Sequence, residues 1–286
     1  ERILLIEKFR KMYGTMDFYV LYNRFLKKEG YQTLPRRPLE KRKLRYEDVY
    51  PVLYLKYRLS RQAERSNIKH LVIDEMQDYS RLQYLIIRRM FSCKMTILGD
   101  RAQTMADQQQ DVLQFLPGIF GKDLRRIEMR KSYRNTVEIA SYAANLIGVT
   151  DLELFERHGM PVLERDVTDL EAALREAVDT LFPEEKTYET AAVIVPDEKT
   201  AERAYLILRG ILAEKDFDCG KRLSWLNRDS SSFKKGLTVT TFYLAKGLEF
   251  DQVFSIFPKD EKREMMMQAQ YIAATRALHE LRVYHI

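Results

Sequence analysis

The chain has 286 residues, 45% hydrophobic and 31% charged, enough to bury a sizeable core in one or two domains. No apolar run approaches the roughly 18 residues of a membrane span. The start, Glu1-Arg2-Ile3-Leu4-Leu5-Ile6-Glu7, is too charged for a signal peptide, so no membrane partner is expected. A net charge of +6 permits a polyanionic partner without requiring one. Cys93 and Cys219 lie far apart and fit no metal or disulfide spacing, which points to a reducing cytoplasm.

Residues 1 to about 60 read as helical. Phe18, Tyr19, Leu21, Tyr22, Phe25 and Leu26 recur at helical spacing before Gly30, and a second helix follows around Val49 to Leu59. Between them lies a basic, proline-containing connector. Its runs Arg36-Arg37 and Lys41-Arg42-Lys43 suit either phosphate backbones or a solvated surface. Residues 70–74 then form an expected buried strand, and Ser80 with Gln83 has capping-box spacing at the start of a helix. Met95 to Leu98 is a further strand. The pattern weakens over 107–125, where Gln108 to Gln110 and Pro117-Gly118 mark a domain boundary.

Regular alternation follows. A short strand is expected near Arg126 to Met129, a helix from Thr136 to Ile147 stopped by Gly148, and a helix capped by Thr168 with Glu171 that runs to Leu181. Ala192 to Val195 is a strand and Lys199 to Ala213 a helix. Leu237 to Thr241 and Val253 to Phe257 are strands, Arg263 to Ala277 a helix, and Leu281 to Tyr284 a last strand. This alternation argues for an α/β fold with a parallel sheet.

The chemistry concentrates at element ends. Leu71-Val72-Ile73 runs into Asp74-Glu75-Met76-Gln77-Asp78, delivering two carboxylates to the carboxyl edge of a sheet, where ligands of open α/β sheets collect. Nucleoside-triphosphate hydrolysis needs such a pair, one carboxylate for Mg²⁺ and one for the attacking water. Acidic residues capping the next helix are the plainer reading of this segment taken alone. Four more clusters carry groups that phosphate chemistry uses. Gly99-Asp100-Arg101-Ala102-Gln103 offers an amide after a strand. Ser132-Tyr133-Arg134-Asn135 offers a ring and a guanidinium. Lys246-Gly247-Leu248-Glu249-Phe250 and Thr275-Arg276-Ala277 complete the series.

In this order the five motifs resemble those of the superfamily 1 helicases of the UvrD/Rep type, over about residues 44–286. Tyr46-Glu47-Asp48, Asp78-Tyr79-Ser80 with Gln83-Tyr84, and Tyr243-Leu244-Ala245 further resemble the HelD branch, helicase-like proteins associated with RNA polymerase. The resemblance implies two RecA-like parallel-sheet domains, 1–115 and 116–286, the first incomplete because its phosphate-loop strand is absent. It implies ATP and Mg²⁺ as cofactors and DNA as a partner, with RNA polymerase as a further one. Asp74 would help hold Mg²⁺ and Glu75 would activate water. Gln77 and Gln103 would sense the γ-phosphate, and Arg134 and Arg276 would reach it. Tyr133 would stack on the base, and Gly247 and Glu249 would contact the nucleotide.

Three departures shape the expectation. The loop Gly-x-x-x-x-Gly-Lys-Ser/Thr is absent, and Gly118-Ile119-Phe120-Gly121-Lys122-Asp123 has the wrong spacing. The chain alone is therefore expected to hydrolyse ATP negligibly, with the loop upstream of Glu1 in the same polypeptide. Thr104-Met105-Ala106-Asp107 follows Gln103 where unwinding relatives carry stacking aromatics. The interval from Arg134 to Lys246 leaves little room for a large inserted subdomain. Both favour the HelD branch. The readings are thus a DNA-translocating helicase, an ATPase that remodels RNA polymerase without unwinding, and a non-catalytic nucleic-acid-binding module.

Overall fold

The computed structural model describes residues 2–60, 65, 67–100, 103, 112–121, 124–129, 131–149, 153–184, 187–215, 218–230, 235–259 and 264–286. Arg101-Ala102, Thr104 to Asp107, Gln108 to Gln110, Lys122-Asp123 and Arg263 lie outside the described residues. The chain forms two compact units. The first comprises Glu1–Arg101 and Ala106–Arg126, the second Ala102–Met105 and Ile127–Ile286.

In the first unit, α1 (Arg2–Tyr13), α2 (Phe18–Lys28) and α3 (Tyr46–Leu59) precede the strands. Asp17 starts α2 by accepting hydrogen bonds from the amides of Tyr19 (3.0 Å) and Val20 (3.4 Å), which satisfies two orphan donors of the first turn. Tyr19, Tyr22 and Leu26, at i, i+3 and i+7, bury one helix face with Leu34 against Val52 and Leu55 of α3. Tyr22 donates to Asp48 at 2.9 Å. Burial, then that hydrogen bond, pushes the phenol up to about 12. Burial would also raise the Asp48 carboxyl, but hydrogen bonds from Arg45 and Tyr22 outweigh it and leave Asp48 below the ordinary carboxylate range.

The parallel pair β1 (His70–Ile73) and β2 (Lys94–Ile97) brackets α4 (Arg81–Met90). The capping box forms as the spacing predicts: the Gln83 amide donates to Ser80 Oγ at 3.4 Å and Gln83 Oε1 accepts from the Ser80 amide at 2.7 Å. The weakly patterned region contains a helix, α5 (Val112–Phe120), with Pro117 inside it. Its Val112 and Leu116 join Ile73 and Tyr84 in the core of this unit.

The second unit carries β3 (Lys131–Ser132), α6 (Val137–Leu146), β4 (Glu153–Leu154), β5 (Leu163–Asp166), α7 (Leu170–Asp179), β6 (Thr190–Val195) and α8 (Glu198–Ala213). It continues with α9 (Cys219–Arg222), β7 (Leu223–Trp225), β8 (Gly236–Thr241), β9 (Phe250–Phe257), α10 (Glu264–Ala274) and β10 (Ala277–His285). Six strands form a sheet in the order β5-β10-β9-β6-β8-β7, every described pairing parallel. Residues alternate along β6. Ala191, Val193 and Val195 pack with α7 and α8, while Ala192 and Ile194 pack with α6 and α10. Helices therefore cover both faces, which is why these strands read as unbroken apolar runs. The α/β class and the parallel sheets are those expected.

Several local expectations are corrected. No strand spans Arg126 to Met129; the pairing lies further on, where Lys131 and Ser132 meet Glu153 and Leu154. The cap of α7 is Asp169, not Thr168: Asp169 Oδ1 accepts from the Ala172 amide at 2.9 Å. The last helix ends at Ala274, and Ala277 to Glu280, expected to be helix end and loop, open the long strand β10.

Candidate functional site

The acidic pair lies where the apolar strand β1 ends. Asp74 is exposed, and its Oδ1 accepts from the Glu75 amide at 2.8 Å. Its Oδ2 makes no hydrogen bond or ion pair with any described residue. Glu75 has φ +52 and ψ +52, a left-handed conformation that costs a residue with a Cβ roughly 1–2 kcal/mol. Strain of this kind collects at functional sites, where surrounding contacts enforce it. Those contacts are visible. Gln77, buried, donates from Nε2 to Glu75 Oε2 at 2.5 Å and accepts at Oε1 from the Asp100 amide at 3.1 Å. One amide side chain thus joins the ends of β1 and β2 and holds the Glu75 carboxylate. Gly99 is required here, because a Cβ on it would fall 2.6 Å from the Met76 amide nitrogen.

Among the described residues, no three His, Cys, Asp or Glu side chains are grouped to hold a metal ion. The feature that suits Mg²⁺ is the exposed Asp74 carboxylate with its uncommitted Oδ2, since Mg²⁺ is usually bound through one or two carboxylates together with substrate phosphates and water. For ATP the fit is partial, since the sequence contains no phosphate-cradling loop.

In the second unit the remaining residues gather at the amino-terminal edge of β9 and β10, where Phe250 pairs with Ala277. The rule that ligands collect at carboxyl edges therefore describes only the first unit's residues. Glu249 immediately precedes β9, and its Oε1 lies 2.8 Å from Arg134 Nε. Gly247 has φ +77, the left-handed region that favours glycine; a Cβ there would meet nothing within 4 Å. That turn alone accounts for the glycine. Arg276 is 2% exposed. Its Nε donates to the Ile272 carbonyl (3.2 Å), Nη1 to the Leu248 carbonyl (3.5 Å) and Nη2 to Thr275 Oγ1 (3.1 Å). Gln103, which clusters with the second unit, accepts from Arg276 Nη2 at 3.4 Å. Tyr133 is 59% exposed, its ring 5.7 Å from that of Phe155, with Lys131 Nζ 5.5 Å from its centroid. An exposed ring of this kind can accept a flat base or another apolar partner.

Asn135, to which the sequence assigned no role, holds this edge together. Its amide nitrogen donates to the carbonyls of Ala277 (2.6 Å) and Thr275 (3.3 Å), on either side of Arg276. Arg157 also bonds the Leu278 carbonyl through Nη2. The Tyr133-Arg134 and Thr275-Arg276 segments are brought together by these bonds. Phe155 is fixed by its amide, which donates to the Ser132 carbonyl at 3.1 Å. An aromatic residue some 20 positions downstream of a Tyr-Arg pair carries no local signal of that contact.

Residues 7–105 match the UvrD/REP helicase N-terminal domain family. No curated protein matches the chain. Among solved structures, the C-terminal domain of a possible DNA helicase from Lactobacillus plantarum WCFS1 is 24% identical, covering 54% of this chain and 88% of that one at a TM-score of 0.42. The PRRSV helicase is 17% identical, covering 78% of this chain and 36% of that one, TM-score 0.42. The helicase nonstructural protein 10 of an arterivirus, in complex with DNA, is 14% identical, covering 78% and 41%, TM-score 0.40. Fold likeness at this level does not carry function. By its N-terminal match, and by the order of its five motifs, the chain is similar to the UvrD/REP-type superfamily 1 helicases.

Proposed function

We propose that the chain is the C-terminal part of an ATP-dependent, superfamily 1 helicase-like motor acting on DNA, with the two units serving as RecA-like motor domains. The observation that carries this reading is the joining of two acidic strand ends by Gln77, with Glu75 held in a strained backbone conformation. Bound ATP–Mg²⁺ would supply the scissile phosphoanhydride and a cation that neutralises charge on it. Asp74 would hold the cation through its free oxygen. Glu75 would orient and deprotonate the attacking water, with Gln77 fixing the carboxylate. Arg134 and Arg276 would neutralise charge developing on the phosphoryl oxygens, a positioning and electrostatic task that dominates phosphoryl transfer. Tyr133 would stack on the base, Glu249 and the Gly247 turn would meet the sugar, and Gln103 would report the γ-phosphate to Arg276. Closure of one motor domain on the other would couple this chemistry to movement along DNA.

The Arg134–Glu249 pair bears on how the site works. Both side chains are more than a third exposed, so the pair contributes little to stability and exchanges readily for a nucleotide contact.

The reading is tested with the full-length polypeptide. DNA-stimulated ATP hydrolysis with strand displacement supports a translocating helicase. ATP hydrolysis with polymerase co-purification and no strand displacement supports the remodelling branch, for which the HelD-like residues, the residues after Gln103 and the short Arg134–Lys246 interval speak. Absence of hydrolysis, with DNA binding retained, leaves a binding module and overturns the motor.

A further inference from the structure

The basic connector between α2 and α3 has no part in the site above. Residues 31–45 hold six cations against one carboxylate, Glu40. They wall a cavity of about 430 Å³ lined by Tyr19, Leu34, Pro35, Arg37, Lys43 and Arg45, with Gln32 and Thr33 at its side. The cations divide into two sets. Arg42 bonds Asp17 at 2.7 Å and the Arg37 carbonyl at 3.0 Å, and Arg45 bonds Asp48 at 2.8 Å. These two hold the connector in place. Arg36, Arg37, Lys41 and Lys43 are exposed, and none makes an ion pair with a described residue.

A segment of such charge, without regular strand structure, would ordinarily be solvated and loose. This one is fastened at several points. Tyr19 Oη donates to the Pro35 carbonyl at 2.8 Å. Asn23 accepts from the Leu34 amide at 2.7 Å and donates to the Leu34 carbonyl at 3.2 Å. The Leu34 side chain is 4% exposed. Fastening the backbone that carries Arg37 and Lys43 at the cavity lowers the ordering cost of binding an anion there. The one aromatic ring lining the cavity is not open to a base. The Arg42 guanidinium sits 4.7 Å from the Tyr19 ring centroid, and that ring is 8% exposed, so it is no stacking platform.

We infer that this cleft is a binding site for the sugar–phosphate backbone of single-stranded DNA, engaged by Arg37 and Lys43 with Arg36 and Lys41 beside it, and blind to base identity. The choice of polyanion rests on the DNA-acting function proposed above; the site is separate from the motif residues.

The test is fluorescence anisotropy of the chain with an oligothymidylate strand and with an abasic strand of equal length, over a range of salt. Each phosphate contact on a single strand contributes about 0.7 to the slope of log K against log salt. The double variant Arg37→Ala, Lys43→Ala should lower that slope by about 1.4 and weaken binding roughly 25-fold at 0.1 M salt. Both strands should bind alike. A control double variant on exposed residues of α2, Lys27→Ala with Lys28→Ala, should bind like the parent. Equal loss in the control, no loss in the cleft variant, loss of binding to the abasic strand, or tighter binding of polyglutamate than of DNA would each overturn the site. Failure of the parent chain to bind DNA at all would count against the DNA-acting reading as well; binding that ignores the cleft variant would count against the cleft alone.

Discussion

Asn135 donates to the carbonyl of Ala277 at 2.6 Å across 142 positions of sequence, and to that of Thr275 at 3.3 Å. Two segments that each carry a candidate phosphate-binding arginine are thereby fixed to one another at the amino edge of β9 and β10. Asn135→Ala leaves buried carbonyls without their donor, at a cost of about 1–3 kcal/mol. Asn135→Asp should cost more, because it sets an acceptor against two acceptors. Urea denaturation followed through the second unit checks both values. A loss below about 0.5 kcal/mol in Asn135→Ala would show that the bracket is dispensable.

Gly99 lies against the turn that follows the acidic pair. Gly99→Ala puts a Cβ 2.6 Å from the Met76 amide nitrogen and close to Gln77 Oε1, so backbone must move. The expected cost is about 1–3 kcal/mol, from overpacking against atoms that cannot rotate away. A crystal structure of the variant should show Gln77 displaced from the Asp100 amide.

Tyr84 is fully buried among Tyr79, Phe115 and Phe120, and donates to the Met76 carbonyl at 3.1 Å. Tyr84→Phe removes one hydrogen bond and should cost about 1 kcal/mol. Tyr84→Ala should cost about 3–5 kcal/mol by opening a cavity beneath the Met76–Asp78 turn. Thermal or chemical unfolding of the first unit measures the difference.

Asp251 links β6 and β9. Burial pushes its carboxyl up, but hydrogen bonds from the Glu189 amide, the Thr190 amide and Thr190 Oγ1, each 2.9 Å, outweigh that and leave it below the ordinary value of 3.8. A carboxyl whose pKa is lower folded than unfolded contributes its stability above the unfolded value. That contribution is lost as pH falls through the folded one. Asp251→Asn should therefore be less stable than the parent near neutral pH, with the gap closing as pH drops below about 3.8. Urea midpoints at several pH values check the sign; a gap that widens in acid would contradict it.

What the sequence made legible was local. Leu71 to Ile73 ahead of two carboxylates, and Ser80 ahead of Gln83, declare themselves within a few residues, and both elements form where the pattern places them. β1 is not the buried strand expected, however: Ile73 is buried while Val72 is 60% exposed. β5 escaped because three of its four residues, Glu164, Arg165 and Asp166, are charged; it is an edge strand with one neighbour. α5 escaped because Pro117 and Gly118 lie inside it. The helical pattern of α10 reads on to Ala277 and the strand only from Leu281, but pairing with β9 draws Ala277 and Glu280 into β10. The roles of Asn135 and Phe155 could not be read at all, since each depends on a partner brought near only by the fold.

The central claim is that Asp74 and Glu75 serve nucleotide hydrolysis. It is tested by Mg²⁺-dependent ATP hydrolysis in the full-length polypeptide, comparing the parent with Glu75→Gln and measuring nucleotide binding alongside. The account predicts that kcat falls roughly 10²- to 10⁴-fold, as for loss of a general base, while ATP is still bound. Hydrolysis unchanged in Glu75→Gln, or absent from the parent polypeptide, would contradict it.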